Sequence, residues 1–335
     1  MDIYNLEKHL DDLYVSKFQT HQLPLRRDFV LWQNKKRKAL NNLLGTTKLK
    51  IIKSKINRNI PNKEFQIVVL DLYLSDGCVM PVYIGYAKKI NPPFRPMIIY
   101  HGHANGAKTL FGYGMTKEFQ NYGEEFMKRG YMVIAPDMRG FGGRLGPAPV
   151  YYNGYTRSCR QISFNLMLNG KTILGERVSD GFVLIDYLKT RKDIILDKII
   201  VTGNSGGGTV ALLHTALDKR VFASIVGSAF CEYKHSILSL SHCECNYVPG
   251  LLNYFQEIWE IGALIAPRSL LIIHGKKDKI FPVQYVKTAY HKLENYYRMA
   301  NASKNALQLD IHSGAHRYDH GQVFIFLDYL LKKNL

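Results

Sequence analysis

The chain contains no apolar run approaching the roughly 20 residues that a membrane-crossing helix requires. Its first residues, Met1-Asp2-Ile3-Tyr4-Asn5-Leu6-Glu7, lack the positive start and apolar core of an export signal, so a cytoplasmic location is expected. Internal repeats and low-complexity tracts are also missing, which leaves one ordinary globular core of the size that 335 residues can bury. Cysteine is scarce. Five are present, an odd number in a chain without an export signal, and they read as free thiols rather than a disulfide framework. The Cys-x-Cys pair Cys243 and Cys245, although preceded by His242, is too closely spaced for the usual zinc knuckle. His101 and His103 have no carboxylate or cysteine ligand near them in sequence, so no metal is expected.

Acidic residues are outnumbered, 27 against 45 basic ones, for a formal net charge of +18. Ten of the basic residues fall between Lys35 and Lys63, where no acidic residue occurs: Lys35, Lys36, Arg37, Lys38, Lys48, Lys50, Lys53, Lys55, Arg58 and Lys63. Such a run suits a polyanion or an anionic membrane surface. No aromatic residue interleaves it and no nucleic-acid motif accompanies it, so it reads as a solvated face and no specific nucleic-acid partner is expected.

What the chain does have is Gly203-Asn204-Ser205-Gly206-Gly207, preceded by the apolar run Lys198–Thr202 and followed by the helix-like Thr209-Val210-Ala211-Leu212-Leu213. Strand, sharp turn and helix in that order define a nucleophile elbow. Its serine is strained at the tip, and its glycines remove side chains that would strike the adjoining strand and helix. Ser205 is the candidate nucleophile. Downstream, the apolar run Ser269–Ile273 leads into His274-Gly275-Lys276-Lys277-Asp278, which puts a carboxylate just past a buried strand. Asp278 is the candidate acid, ahead of Glu257, Glu260 and Asp310. After Leu307–Ile311 the chain reads His312-Ser313-Gly314-Ala315-His316-Arg317-Tyr318, and His316 is the loop residue free to act as base, with His312 and His320 as neighbouring alternatives. The order Ser, Asp, His is that of the α/β-hydrolase fold, whereas other serine hydrolases arrange the same groups differently. For the oxyanion, the expected donors are the backbone N–H of Gly206 and that of His103, in the loop after the strand Met97–Tyr100.

Together, His101-Gly102-His103, Asp137-x-Arg139-Gly140, the Ser205 elbow, His242-Cys243-x-Cys245-Asn246-Tyr247-x-Pro249-Gly250, Ile265-Ala266-Pro267-Arg268 and Gly314-x-His316-Arg317 resemble the acetyl-xylan-esterase and dienelactone-hydrolase-like branch of the α/β-hydrolases. The resemblance implies a Ser205, Asp278, His316 triad and carboxylic ester hydrolysis without a cofactor. True dienelactone hydrolases carry a cysteine where this chain has Ser205, which points away from that substrate. A peptidase or thioesterase could run on the same triad, and a non-catalytic binding protein using the basic segment is the alternative of another class.

The rest of the chain alternates strands and helices, as a mainly parallel sheet covered on both faces requires. Residues 1–63 read as a basic, mostly helical extension, with Phe29, Trp32, Leu40, Leu43 and Leu44 at helical spacing and Gly45 as a stop. Residues 64–335 read as the catalytic domain. Phe65–Leu74 and Val79–Tyr86 form a hairpin about Ser75-Asp76-Gly77, and a helix is expected over Thr116–Arg129. The stretch 230–267 is a cap-like insertion. From it Tyr247 and Trp259, and from the His316 loop Tyr318, are the candidate contacts for a small ester substrate. Asp137 and Arg139 read as structural braces. If Ser205 is an activated nucleophile, a fluorophosphonate labels it alone in the folded protein. Peptide mass spectrometry that finds the adduct on another serine, or no adduct at all, contradicts the assignment.

Overall fold

The computed structural model describes residues 6–18, 23–114 and 121–332. After helices α1 (Leu6–Phe18) and α2 (Phe29–Leu44), the chain enters a nine-stranded sheet. Its strands are β1 (Ile51–Ile60), β2 (Phe65–Leu74), β3 (Val79–Ala87), β4 (Arg95–Tyr100), β5 (Tyr131–Pro136), β8 (Ile200–Asn204), β9 (Ala223–Gly227), β10 (Ser269–Gly275) and β11 (Leu307–His312). A separate hairpin, β6 (Val150–Tyr152) and β7 (Tyr155–Arg157), lies outside it. Between the strands run α3 (Tyr122–Lys128), α4 (Cys159–Leu168), α5 (Ile173–Leu188), α6 (Gly206–Leu217), α7 (Ile258–Ala263) and α8 (Val283–Met299), and α9 (Val323–Lys332) follows the last strand.

The spatial order is β1-β2-β3-β5-β4-β8-β9-β10-β11. The first three strands join antiparallel, and from β5 onward every pairing is parallel. Burial on both faces explains why the central strands are nearly continuous apolar runs. In β4, Ile98 and Tyr100 point into a core shared with α2, α5, α6 and α8, whereas Met97 and Ile99 point into the opposite core with α3 and α9. Loops at the carboxyl ends of β4, β8, β10 and β11 therefore converge over one edge of the sheet, where open α/β sheets hold their ligands.

Two sequence expectations change here. The segment 1–63 is helical only in its first part. Residues 51–60 form the antiparallel edge strand β1, in register with β2 from Ile51 opposite Leu74 to Ile60 opposite Ile67. Isoleucine recurring among Lys53, Lys55 and Arg58 is a strand pattern with a charged outer row. Those basic residues and two register shifts along β1 are devices that keep an open sheet edge from pairing with another chain. The expected helix over Thr116–Arg129 is observed as α3, and its residues 116–120 lie outside the described ones. Gly130 follows it at φ +85°, with its N–H on the carbonyl of Met127.

The basic run is also not uniformly a solvated face. Lys35 and Lys38 are exposed, but Lys36 reaches Glu260, a buried carboxylate, at 2.7 Å. Arg37 donates to the carbonyls of Ala216 and Leu264, tying α2 to α6 and α7. Removing Lys36 leaves the buried Glu260 charge with the neutral donors Tyr296 and Gln256 N–H in place of a cation, which costs about 3 kcal/mol. Lys36→Gln is therefore expected to lower the unfolding free energy by that order, and Lys35→Gln or Lys38→Gln to stay within about 0.5 kcal/mol of the parent. Urea melts in which all three variants coincide would contradict this division of the run.

Candidate active site

Ser205 sits between β8 and α6 at φ 57° and ψ −126°, a conformation that a non-glycine residue adopts only under constraint. The constraint is visible on both sides: its N–H donates to the carbonyl of Gly227 on β9 at 2.9 Å, and its carbonyl accepts from Thr209 on α6 at 3.0 Å. The glycines make the turn possible. A Cβ on Gly203 would lie 2.3 Å from the carbonyl oxygen of Gly207, and one on Gly207 would lie 2.1 Å from that of Tyr100. No side chain survives at those separations.

Asp278 and His316 open into the same region from the ends of β10 and β11. Nδ1–H of His316 donates to Oδ2 of Asp278 at 2.7 Å, while Oδ1 accepts from the N–H groups of Ile280 and Phe281 at 3.0 and 3.1 Å. Burial by itself would push the Asp278 carboxyl up. The hydrogen bond and charge of His316, helped by His274 and the Phe281 N–H, outweigh it and hold the group below the usual carboxylate range. With Nδ1 committed to Asp278, Nε2 of His316 is the atom left to exchange protons, and its ring packs on Phe281 at 5.9 Å.

The alternatives to His316 are occupied elsewhere. His312 uses both nitrogens within its own loop, accepting from Gly314 N–H at 3.1 Å and donating to the Arg317 carbonyl at 3.3 Å. His320 lies flat on Phe324 and edge-on to Tyr318. Among the rivals of Asp278, Glu257 and Glu260 are buried at α7, and Asp310 accepts from Gln322.

Ser205 and His316 line one cleft of about 680 Å³ with His103, Arg157, Asn246 and Phe281. Behind the elbow, the ring of His103 faces Gly206, where an added Cβ would come within 3.2 Å of its Nδ1 and Cε1. His101 is a brace: its Nδ1–H donates to the Gly102 carbonyl at 2.7 Å and its Nε2 accepts from Met138 N–H at 3.1 Å. Complete burial lowers its pKa to about 3, so it stays neutral. Asp137 braces the same loop by accepting from Ala107 and Gly143 N–H groups, and Arg139 is paired with Asp76, Glu176 and Asp180.

The three expected substrate contacts are not in the cleft. Tyr247 donates to the carbonyl of Ile237 and lines a separate depression with Val248 and Leu251. Trp259 is buried in α7 among groups that stabilise the insertion. Tyr318 lies beneath the floor, its hydroxyl 2.9 Å from that of Thr202 and its ring stacked on Tyr122 at 4.2 Å. Large aromatic residues bury the most area where they are enclosed, as Trp259 and Tyr318 are, whereas Tyr247 stays half-buried. Only the part of the insertion around residues 241–246 overhangs the cleft. The hairpin β6–β7 supplies Tyr152, Tyr155 and Arg157 instead. Its Asn153-Gly154 turn, at φ 44° and 84°, is a two-residue hairpin signal that the sequence reading did not use.

A second grouping was not foreseen. His103, Cys159, Cys243 and Cys245 converge beside the cleft, with their ligand atoms all within 4.8 Å of one another. Cys159 comes from the start of α4 and His103 from the loop after β4, so neither is near the Cys-x-Cys pair in sequence.

Comparison with known proteins places the chain in a family. A sequence model of the Abhydrolase family matches residues 6–310, and the chain belongs to that family. It has the α/β-hydrolase fold, which acetyl xylan esterases among the solved structures share. It is 29% identical over 272 residues to the provisionally named hydrolase YtaP of Bacillus subtilis (strain 168), covering 78% of this chain and 87% of that one. Among solved structures, a provisionally named acetyl xylan esterase of Bacteroides fragilis NCTC 9343 superposes with TM-score 0.76 at 16% identity, over 92% of this chain and 82% of that chain. The acetyl xylan esterase of Paenibacillus sp. R4 does so with TM-score 0.60 at 19% identity, over 95% and 98%. No helix among the described residues is long and apolar enough to cross a membrane.

Because the Asp278 carboxyl is held down, it stays ionised until the pH falls below the ordinary carboxylate range, about 4. The acid limb of kcat/KM should then show a single ionisation with unit slope, and His316→Ala should abolish turnover while His312→Ala retains it. A limb of slope two above pH 5, or the reverse ranking of the two variants, would move the base away from His316.

Proposed function

We propose that this protein is a serine hydrolase that cleaves small carboxylic esters through an acyl-enzyme intermediate. The observation that carries the proposal is the strained Ser205 sharing one cleft with a His316–Asp278 pair whose free nitrogen is Nε2. In this reading Ser205 Oγ attacks the ester carbonyl carbon and His316 Nε2 takes its proton. Asp278 keeps the imidazole in the required tautomer and stabilises the imidazolium. The oxyanion is received by the N–H groups of Gly206 and His103, fixed before reaction begins. His316 then returns the proton to the departing alcohol, and water, activated by the same nitrogen, releases the acid.

Polar side chains line part of the cleft. Asn204, Ser241, Asn246, Arg157 and Arg317 are among the residues that line it. Amide and guanidinium groups along a cleft wall suit a hydroxyl-bearing alcohol, whose own hydrogen-bonding groups need partners once they leave water. Acetyl xylan esterases and glucuronoyl esterases are among the structures of similar fold, and both names specify carbohydrate esters. An acetylated sugar is therefore the substrate class favoured here.

A panel of acetylated sugars, aryl acetates, longer aryl esters, acyl thioesters and aryl amides tests this. The acetyl esters should give the highest kcat/KM, and Ser205→Ala should reduce kcat by roughly 10⁴- to 10⁶-fold. Preferred turnover of thioesters or amides, or equal activity in Ser205→Ala, would overturn the reading.

A further inference from the structure

We propose that His103, Cys159, Cys243 and Cys245 form a tetrahedral zinc site that clamps the overhanging part of the insertion to the oxyanion loop. The four residues come from three separate places: the loop after β4, the first turn of α4, and the short stretch 243–245. Cys159 Sγ lies 3.5 Å from Cys243 Sγ, and Cys245 Sγ lies 3.3 Å from His103 Nε2. A tetrahedral zinc with Zn–S of about 2.3 Å and Zn–N of about 2.0 Å sets its sulfurs about 3.8 Å apart and a sulfur and nitrogen about 3.6 Å apart. The observed separations are close to those edges, and all four donor atoms fall within 4.8 Å of one another. Cys159 and Cys245 are fully buried, and Cys243 and His103 are half-buried. The site is thus closed, as structural zinc sites are.

A second observation concerns charge. Binding forms three Zn–S bonds and one Zn–N bond and releases three thiol protons to solvent, leaving a net charge of −1 on the metal centre. Two guanidinium groups are already in place to offset it. Arg177 is almost wholly buried, and its Nε and Nη2 donate to the Arg139 carbonyl, while its Nη1 has no hydrogen-bond partner. The Nε of Arg157 is likewise buried without a partner. Cations with unused donors around three thiols suit three thiolates better than three neutral S–H groups.

The site would also fix the cleft. Metal on Nε2 of His103 leaves the proton on Nδ1, the edge of the ring that faces Gly206, and sets the orientation of the backbone that carries the second oxyanion donor. Coordination explains why a Cys-x-Cys pair too short for a zinc knuckle still faces two further ligands.

The chain, purified without a metal-affinity step, should hold about one zinc per molecule by plasma mass spectrometry. Stripped under reducing conditions and titrated with Co²⁺, it should develop the intense visible bands of tetrahedral cobalt and a sulfur-to-cobalt charge-transfer band, saturating at one equivalent and erased by Zn²⁺. Cys243→Ser or Cys245→Ser should lose these bands, and Cys78→Ser with Cys231→Ser should keep them. A folded wild-type chain that gives no tetrahedral cobalt spectrum overturns the proposal, whatever the variants do. So does a Cys159–Cys243 disulfide found by non-reducing peptide mapping of the protein as purified. Metal content and spectrum are read independently of turnover, so this site and the esterase reading can fail separately.

Discussion

The close approach of three backbones at Gly203, Gly207 and Tyr100 is the constraint on which the site depends. Where α6 starts against the carboxyl ends of β4 and β8, carbonyl oxygens occupy the positions that side chains at 203 and 207 would need. That crowding forces the chain to reverse within one residue, and Ser205 takes the left-handed conformation that results. Strain of this kind costs on the order of 1–3 kcal/mol and persists only when surrounding contacts over-determine it. Here the hydrogen bonds to Gly227 and from Thr209, and a largely buried α6, supply the determination. Ser205 is held at this turn through its backbone hydrogen bonds.

The partner groups rest on the same sheet, so their geometry is inherited from strand register. β10 pairs in parallel with both β9 and β11, which carries Asp278 and His316 to the same end as Ser205. Ser228, at φ 45° just beyond β9, donates from its hydroxyl to the Arg317 carbonyl at 3.2 Å and ties the histidine loop to the strand behind the elbow. Asp278 completes the arrangement: two backbone N–H groups and one imidazole satisfy a fully buried carboxylate. Buried charge is tolerated when every acceptor is paired, and the pairing is also what orients the imidazole.

Much of this was legible in the sequence because it is local. The elbow is a contiguous pattern with strand and helix flanks, and the hairpin about Ser75-Asp76-Gly77 appears at nearly the expected residues. Asp278 and His316 were readable because each lies a few residues past an apolar run, and the order of elements supplies the rest. What was not legible depends on distant pairing. Nothing near Ile51–Ile60 announces that β2 needs an antiparallel partner, and nothing near Lys36 announces that Glu260 is buried opposite it. Tyr247, Trp259 and Tyr318 have the composition of a ligand wall, yet burial of their large apolar surfaces places Trp259 and Tyr318 in the interior, and Tyr247 faces a separate depression. The Cys159, Cys243, Cys245 and His103 cluster is the extreme case, since its ligands are joined only by the path of the chain over the cleft.

The proposed reaction requires Ser205 Oγ to take the acyl group. Rapid acid quench during turnover of an aryl acetate, followed by intact-mass and peptide analysis, tests that directly. The expected result is a transient gain of one acetyl group per chain, located on Ser205 and formed with a stoichiometric burst of the aryl alcohol. Hydrolysis with no acyl adduct at any quench time when deacylation is rate-limiting, or an acetyl group on another residue, would contradict it.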